Sequence, residues 1–402
     1  MSAPSHISPA HPGLFRPAWI IAISVFLNFA GFTLIIPVLP FSVARYVTPT
    51  DVAWWVSLIL ALYSLCAFLA APVLGAMSDR FGRRPVILLS LGGAALGFGL
   101  FGVGGSIAVL VVGRVIEGLT AGSISALYAY VADTHAPTER GRVFGTLGAA
   151  GGLGFMAGPV VGGALGQVSL SAPLFGAAGL ALANCGLVWF LLPESRPRSK
   201  GAPWRLHHFN AIAQLLHVLR ERRIRPLFAA VFCFAFAGAA MQANLTVILR
   251  DLFAFGPAGI GFILACVGVM DVVSQGIAAP RLQRRFGEQP VATAGLVING
   301  LGLALIALLP LHAAVPVLVA GIAIVTFGDG LFQPSVSALI ANAAPVERQG
   351  EVQGANQAQQ AIARTTGPLL AAWLYGLSAS APYAVGAGVV VLAATWRVRK
   401  LR

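Results

Sequence analysis

Charge is scarce in this 402-residue chain: only 10% of it is charged, and just 13 residues are acidic. So few ionic groups cannot clothe a soluble surface of this size. Four cysteines, Cys66, Cys185, Cys233 and Cys266, all fall in apolar stretches, and no two have metal or redox spacing. They read as small hydrophobes. Also missing are a nucleophile–base pair, a metal-ligand cluster and a phosphate-cradling loop, so the chain does not read as an enzyme, and no metal or cofactor is expected.

Apolar residues are what the chain has, at 57% hydrophobic with a mean hydropathy of +0.84. They come in runs of about 20, the length that crosses a bilayer. The 47 glycines and 25 prolines would weaken soluble helices, but membrane helices tolerate both because neighbouring groups re-satisfy the freed backbone. The runs predict spans at 17–40, 53–76, 85–105, 107–131, 142–168 and 171–192, then 226–250, 257–280, 290–310, 313–341, 348–376 and 379–396. The expected fold is an all-α membrane protein, twelve transmembrane helices in two six-helix halves. Residues 1–15 should be disordered, 16–192 the first bundle, 226–396 the second and 397–402 a basic tail.

Between the bundles, 193–225 holds three prolines, then Phe209, Ile212, Leu215, Leu216 and Leu219 at helical spacing. This predicts an amphipathic helix, lying on the cytoplasmic membrane surface or solvated as a linker. No cleavage site follows the N-terminus, so the first apolar run should stay as a helix.

A net charge of +13 raises the question of nucleic acid, and the placement of the basic residues answers it. With both termini cytoplasmic, every Lys and Arg except Arg45, Arg250, Arg114 and Arg364 falls on the cytoplasmic side. That is the positive-inside pattern. No soluble domain carries a basic patch, so the partner is a lipid bilayer and not nucleic acid.

The chain repeats itself. Arg80-Phe81-Gly82 and Pro85-Val86 return as Arg285-Phe286-Gly287 and Pro290-Val291. Ala136-Pro137-Thr138-Glu139-Arg140 returns as Ala344-Pro345-Val346-Glu347-Arg348, and Gly158-Pro159 as Gly367-Pro368. Three landmarks in one order at nearly one spacing indicate duplication, which in a hydrophobic chain points to two parallel halves with a working site between them.

In the first hinge, GAMSDRFGRRPV (75–86), Gly75 and Gly82 permit close approach and a tight turn, while Arg80, Arg83 and Arg84 hold the loop inside. Asp79, an acid among bases, should pair or cap. Gly154, Gly158, Gly162 and Gly166 form a four-residue stripe, joined by Gly163 and by Pro159, which should kink the helix. The stripe suits either a tight interface between the halves or ordinary helix packing.

Ionisable residues inside a membrane cost about 2.5–3.5 kcal/mol each and so point to function. Arg114 and Glu117 share a helix face and can pair, for structure or for coupling. Asp271 has no basic residue within a turn, so it must be neutral or face a wet cavity. Asp329 lies between Gly328 and Gly330, as a functional group or a helix breaker, and Arg364 lies deep in the eleventh span.

The hinge resembles the signature between helices two and three of the major facilitator superfamily. VVGRVIEGLTAG (111–122) resembles its fourth-helix signature, and GFMAGPVVGGALG (154–166) its fifth-helix antiporter signature. IIPVLP (35–40), VADTHAPTERGRVFG (131–145) and RQGEVQG (348–354) are similar to drug/proton antiporters, especially bacterial tetracycline exporters. The resemblance implies a monomer in the cytoplasmic (inner) membrane that exports a small amphipathic molecule in exchange for protons by alternating access. It further implies that Asp79 and a nearby Arg latch the hinge to the other half in the outward-open state. A topogenic basic loop is the simpler alternative. Proton symport or facilitation, and a non-transporting receptor, are the rival functions.

The chain departs from those exporters. Their membrane carboxylates in the first, third and ninth helices correspond to Asn28, Gly97 and Asn299, and their eighth-helix histidine to Asp271. The exporters' proton path therefore cannot be copied across, tetracycline is doubtful as the substrate, and the candidates for proton coupling are Asp271 first, then Glu117, Asp329 and Arg114. Asn28, Gln242, Asn244, Asn299, Gln333, Gln357 and Gln360 offer amides to a substrate cavity, or to neighbouring helices.

Overall fold

The computed structural model describes residues 18–195, 211–343 and 349–400. The expected disordered N-terminus, residues 196–210 of the linker, the Ala344–Arg348 landmark and the last two residues of the tail lie outside them. All regular structure among the described residues is helical: α1 (Ala18–Leu34), α2 (Leu39–Val43), α3 (Val52–Phe81), α4 (Arg83–Val103), α5 (Ile107–Leu119), α6 (Ser123–Thr134), α7 (Pro137–Val168), α8 (Ala172–Leu191) and α9 (Ala211–Val218). There follow α10 (Arg225–Asp251), α11 (Pro257–Val273), α12 (Ala279–Phe286), α13 (Glu288–Ala307), α14 (Val315–Ala343), α15 (Gln349–Leu377) and α16 (Ala381–Lys400).

Ten helical stretches among the described residues are long and apolar enough to cross a membrane, and many large apolar side chains on them stay exposed, such as Leu69, Phe190, Phe262 and Leu392. An exposed apolar belt of this extent belongs in lipid. The twelve expected spans are two more than this. α15 falls short because it carries Gln353, Asn356, Gln357, Gln359, Gln360 and Arg364, and the apolar part of α16, Ala381–Thr395, is short. Helix α16 also runs to Lys400, through the start of the expected tail.

Two predicted spans are interrupted. The fourth breaks at Thr120–Gly122, where the Gly122 amide donates to Ser90 Oγ at 3.2 Å. The eighth contains a π-type segment, Ser274–Ala278, between α11 and α12. Non-helical backbone at membrane depth needs a cavity or a buried partner, and π segments frequently mark functional sites. One break follows Glu117 and the other follows Asp271.

The repeated hinges are alike in backbone. Gly82 (φ +107°) separates α3 from α4 and Gly287 (φ +83°) separates α12 from α13, a region that favours glycine. Gly75 has no atom within 4 Å of where a Cβ would stand, so the close approach expected of it is absent.

One apolar core gathers residues from Leu215 to Ala394, and two others gather residues from Ile20 to Leu192 together with Val247. Helix α9 adds Leu215 and Val218 to the first of these and packs on α15, so those side chains meet protein instead of lipid. Helix α7 packs on α1 along one side and on α11 along the other, while α15 packs between α10 and α3.

Candidate functional site

α1, α3–α8, α10 and α15 enclose a cavity of about 1130 Å³. It reaches toward the hinges, since its wall includes Pro72 late in α3 and Gly354 early in α15. At the opposite end the N- and C-terminal helices close on one another. There Arg250 Nη1 donates to the Pro40 carbonyl at 3.1 Å, and Phe41 packs against the C-terminal core.

The wall is largely aromatic, with Phe32, Tyr63, Phe68, Phe98, Tyr128 and Phe155, and it includes the broken backbone at Thr120–Ala121. Three of the predicted amides line it: Asn28, whose Nδ2 donates to Ser123 Oγ at 2.7 Å, Gln242 and Gln357. The other four stand outside the wall. Asn244 is fully buried with both amide atoms unpartnered, and Asn299 bonds Asp329. Gln333 and Gln360 are half-buried elsewhere on α14 and α15. Helical register fixed which amides turn inward, and register needs the neighbouring helices.

Glu117 lines the cavity and Arg114 stands behind it, their charged atoms 2.7 Å apart. Arg114 is 1% exposed and Glu117 5%, so the pair is dry on the protein side. The rings of Tyr63, Phe98 and Phe101 surround the guanidinium, with centroids 5.4–5.8 Å away. Their π faces supply negative potential where water is absent. Gly97, where the tetracycline exporters place a carboxylate, is the contact point that brings α4 onto α5: a Cβ there would stand 2.6 Å from the Gly113 carbonyl and 3.0 Å from Glu117 Cβ.

The remaining two carboxylates form a separate polar group off the cavity. Asp271 lies one turn from Gln275 of the π segment, its backbone carbonyl accepts from Ser274 Oγ at 3.1 Å, and it stands within electrostatic reach of Asp329. Asp329 Oδ1 accepts from Asn299 Nδ2 at 2.5 Å. Asp271, Asp329 and Asn299 were legible separately as membrane-depth polar residues; only α11, α13 and α14 packing together makes them one cluster.

The family model for the Major Facilitator Superfamily matches residues 21–256 and again 227–401. The chain belongs to the major facilitator superfamily. It is 33% identical over 358 residues to the class C tetracycline resistance protein of Escherichia coli, covering 89% of each, and 33% identical over 365 residues to the class D protein of Salmonella ordonez, covering 90% of each. The solved structure of the human organic anion transporter MFSD10 (TETRAN) superposes with a TM-score of 0.72 at 25% identity, over 96% of this chain and 100% of that one. The protein is thus a multi-pass membrane transporter, and not an enzyme, homologous to tetracycline resistance proteins.

In this transporter the hinge is tied to its own side of the molecule. Arg83 bridges Asp79 and Asp133, each at 2.8 Å, and Nη1 also donates to Ser78 Oγ. Glu194, just past α8, accepts from the backbone amides of Arg83 and Arg84, and Arg84 also donates to the Trp189 carbonyl. Arg80 stacks over Phe81.

The glycine stripe mostly serves α1 and not the boundary with the C-terminal helices. Gly154, Gly158 and Gly162 lie on the backbone of Phe26, Ala30 and Leu34. Gly163 instead meets Pro257 at the start of α11, Gly166 stands between Val38 and Pro257, and the Pro159 carbonyl abuts Gly261. Gly163 lies one step round from the four-residue face of Gly154, Gly158 and Gly162 and so meets α11, while Gly166 at the end of the stripe touches both neighbours.

Tyr63 and the aromatic lining were absent from the sequence-based site. Tyr63 lines the cavity beside Glu117 and Arg364, and its ring lies 5.8 Å from the Arg114 guanidinium. A lone aromatic in an apolar run carries no signal of its own, and only the packed neighbours single it out.

Proposed function

We propose that this transporter exports a small amphipathic compound in exchange for protons, by alternating access across a bacterial-type cytoplasmic membrane, as a monomer. The observation that carries the reading is Glu117, a carboxylate in the wall of an aromatic cavity at membrane depth. A group that takes up a proton in the space a solute occupies couples the two. Asp271 and Asp329 supply a second carboxylate site, since Asn28, Gly97 and Asn299 cannot titrate.

We take the hinge end as cytoplasmic, because Arg80, Arg83, Arg84, Arg284 and Arg285 gather there. The cavity then faces the cytoplasm, the side from which an exporter loads. Helices α15 and α16, packed on α10, complete twelve spans in two six-helix halves with both termini cytoplasmic. On rocking outward, Asp79 and its arginines would latch the hinge to the other half. The relatives' names cover tetracycline resistance and organic anion transport, both concerning small amphipathic compounds.

The test uses inverted vesicles energised acid inside, with a pH dye reporting proton release as compounds from a panel led by tetracycline are added. Wild type should release protons with at least one compound, and Glu117→Gln should abolish this while Asp271→Asn impairs it. Undiminished release in both variants overturns the coupling assignment. Flux that ignores the gradient establishes a facilitator instead.

A further inference from the structure

The charges around the cavity do not balance. Glu117 is neutralised by Arg114 at 2.7 Å, and Asp271 and Asp329 stand outside the wall. That leaves Arg364 on α15, which lines the cavity with its side chain exposed to that space. Among the described residues its guanidinium makes no hydrogen bond or ion pair, and the neutral Tyr63 phenol shares the cavity wall with it. Helix α15 presents Gly354, Gln357, Ala361, Arg364 and Pro368 to the cavity at alternating steps of three and four, so Arg364 shares its face with the Gln357 amide. A cation at membrane depth is tolerated where it faces a cavity, and among the described residues no carboxylate is paired with this one.

We propose that Arg364 is the anion-binding residue of the cavity, and that the substrate is an aromatic organic monoanion, a carboxylate or a group of equivalent charge and shape. The proposal rests on the transport reading above and names its substrate class. A guanidinium offers a planar fork that a carboxylate accepts bidentately, and such charge-assisted bonds are strong where water is excluded. Across the cavity, Phe32 and Tyr63, with ring centroids 5.4 Å apart, and Phe68 and Phe155 offer faces for an aromatic body. Gln357 and Gln242 supply donors and acceptors beside the head group. An organic cation would meet Arg364 with no compensating carboxylate except one already held by Arg114.

The experiment measures equilibrium binding of naphthoate, naphthamide and naphthylmethylammonium to the full-length protein in lipid nanodiscs, with no pH gradient. These share one aromatic body and differ in charge. Naphthoate should bind about tenfold to a hundredfold more tightly than naphthamide, the span expected of a hydrogen-bonded charge pair. Arg364→Gln should erase that preference while naphthamide affinity stays within about twofold, which also shows that the variant is folded. Arg364→Lys, which keeps the charge but not the fork, should fall between. The proposal is overturned if the amide or the ammonium binds as well as naphthoate, if Arg364→Gln keeps the anion preference, or if naphthoate shows no saturable binding in the millimolar range. Because binding is read without a gradient, anion-selective binding with no pH-driven flux would sink the export reading alone.

Discussion

Thr33 of α1 and Gly158 of α7 occupy one space. The Thr33 hydroxyl stands where a Cβ on Gly158 would be, the Ala30 carbonyl lies 2.7 Å from that point, and Thr33 Oγ1 donates to the Phe29 carbonyl at 2.8 Å. Two backbones therefore cross with only the Thr33 hydroxyl between them, as small residues allow in membranes, where close packing and not water exclusion holds helices together.

Gly158→Leu should accordingly separate α1 from α7 at the centre of the N-terminal helices. The expected loss is at least about 1–3 kcal/mol of stability, together with transport. Thermal unfolding of the purified variant, beside vesicle flux, measures both. Wild-type stability would show that α1 and α7 are not in contact there.

The two hinges predict unequal responses to one change. Gly82→Ala and Gly287→Ala both place a Cβ on a positive-φ backbone that is essentially reserved for glycine, at about 1–3 kcal/mol each. Only at Gly82 does the new carbon strike something, the carboxylate of Glu194, which also accepts from the amides of Arg83 and Arg84. At Gly287 the nearest atom is Pro290 Cδ at 4.0 Å. Gly82→Ala should therefore lower the melting temperature more than Gly287→Ala. Equal shifts would mean that Glu194 does not hold the hinge.

The Arg114 and Glu117 pair can be tested for structure and coupling separately. Glu117→Gln leaves a guanidinium that is 1% exposed without its counter-charge, a loss of roughly 3–5 kcal/mol by the behaviour of buried pairs broken on one side. Arg114→Met with Glu117→Leu removes both charges and should recover most of that stability. Proton-coupled flux should remain absent in the double variant. If the double variant transports like wild type, the pair serves packing alone.

How far the sequence reaches can be seen at Glu117, Asn28 and the glycine stripe. Glu117 was legible because a carboxylate in an apolar run is costly wherever it faces. Asn28 was legible as one amide among seven, with nothing in the chain to show that Asn28, Gln242 and Gln357 line the cavity while Asn299 turns to Asp329. The stripe was legible as a small-residue face, and its partner was not: a four-residue rhythm says that some backbone comes close, never which one.

The sequence by itself determined the lipid surroundings, the ten long apolar stretches and the repeat. Apolar runs of membrane length, arginines gathered on one side and a hinge written twice are properties of the chain read along its length. Tertiary structure decided what meets across it. It broke the fourth span at Thr120–Gly122 against Ser90, brought Asp271 within electrostatic reach of Asp329, set the aromatic rings of Tyr63, Phe98 and Phe101 around Arg114, and left Arg364 facing the cavity with no counter-ion among the described residues. The physical reason is that burial cost is local and additive along a sequence, whereas charge compensation depends on which side chains stand within a few ångströms, and that is fixed only when helices distant in sequence pack together.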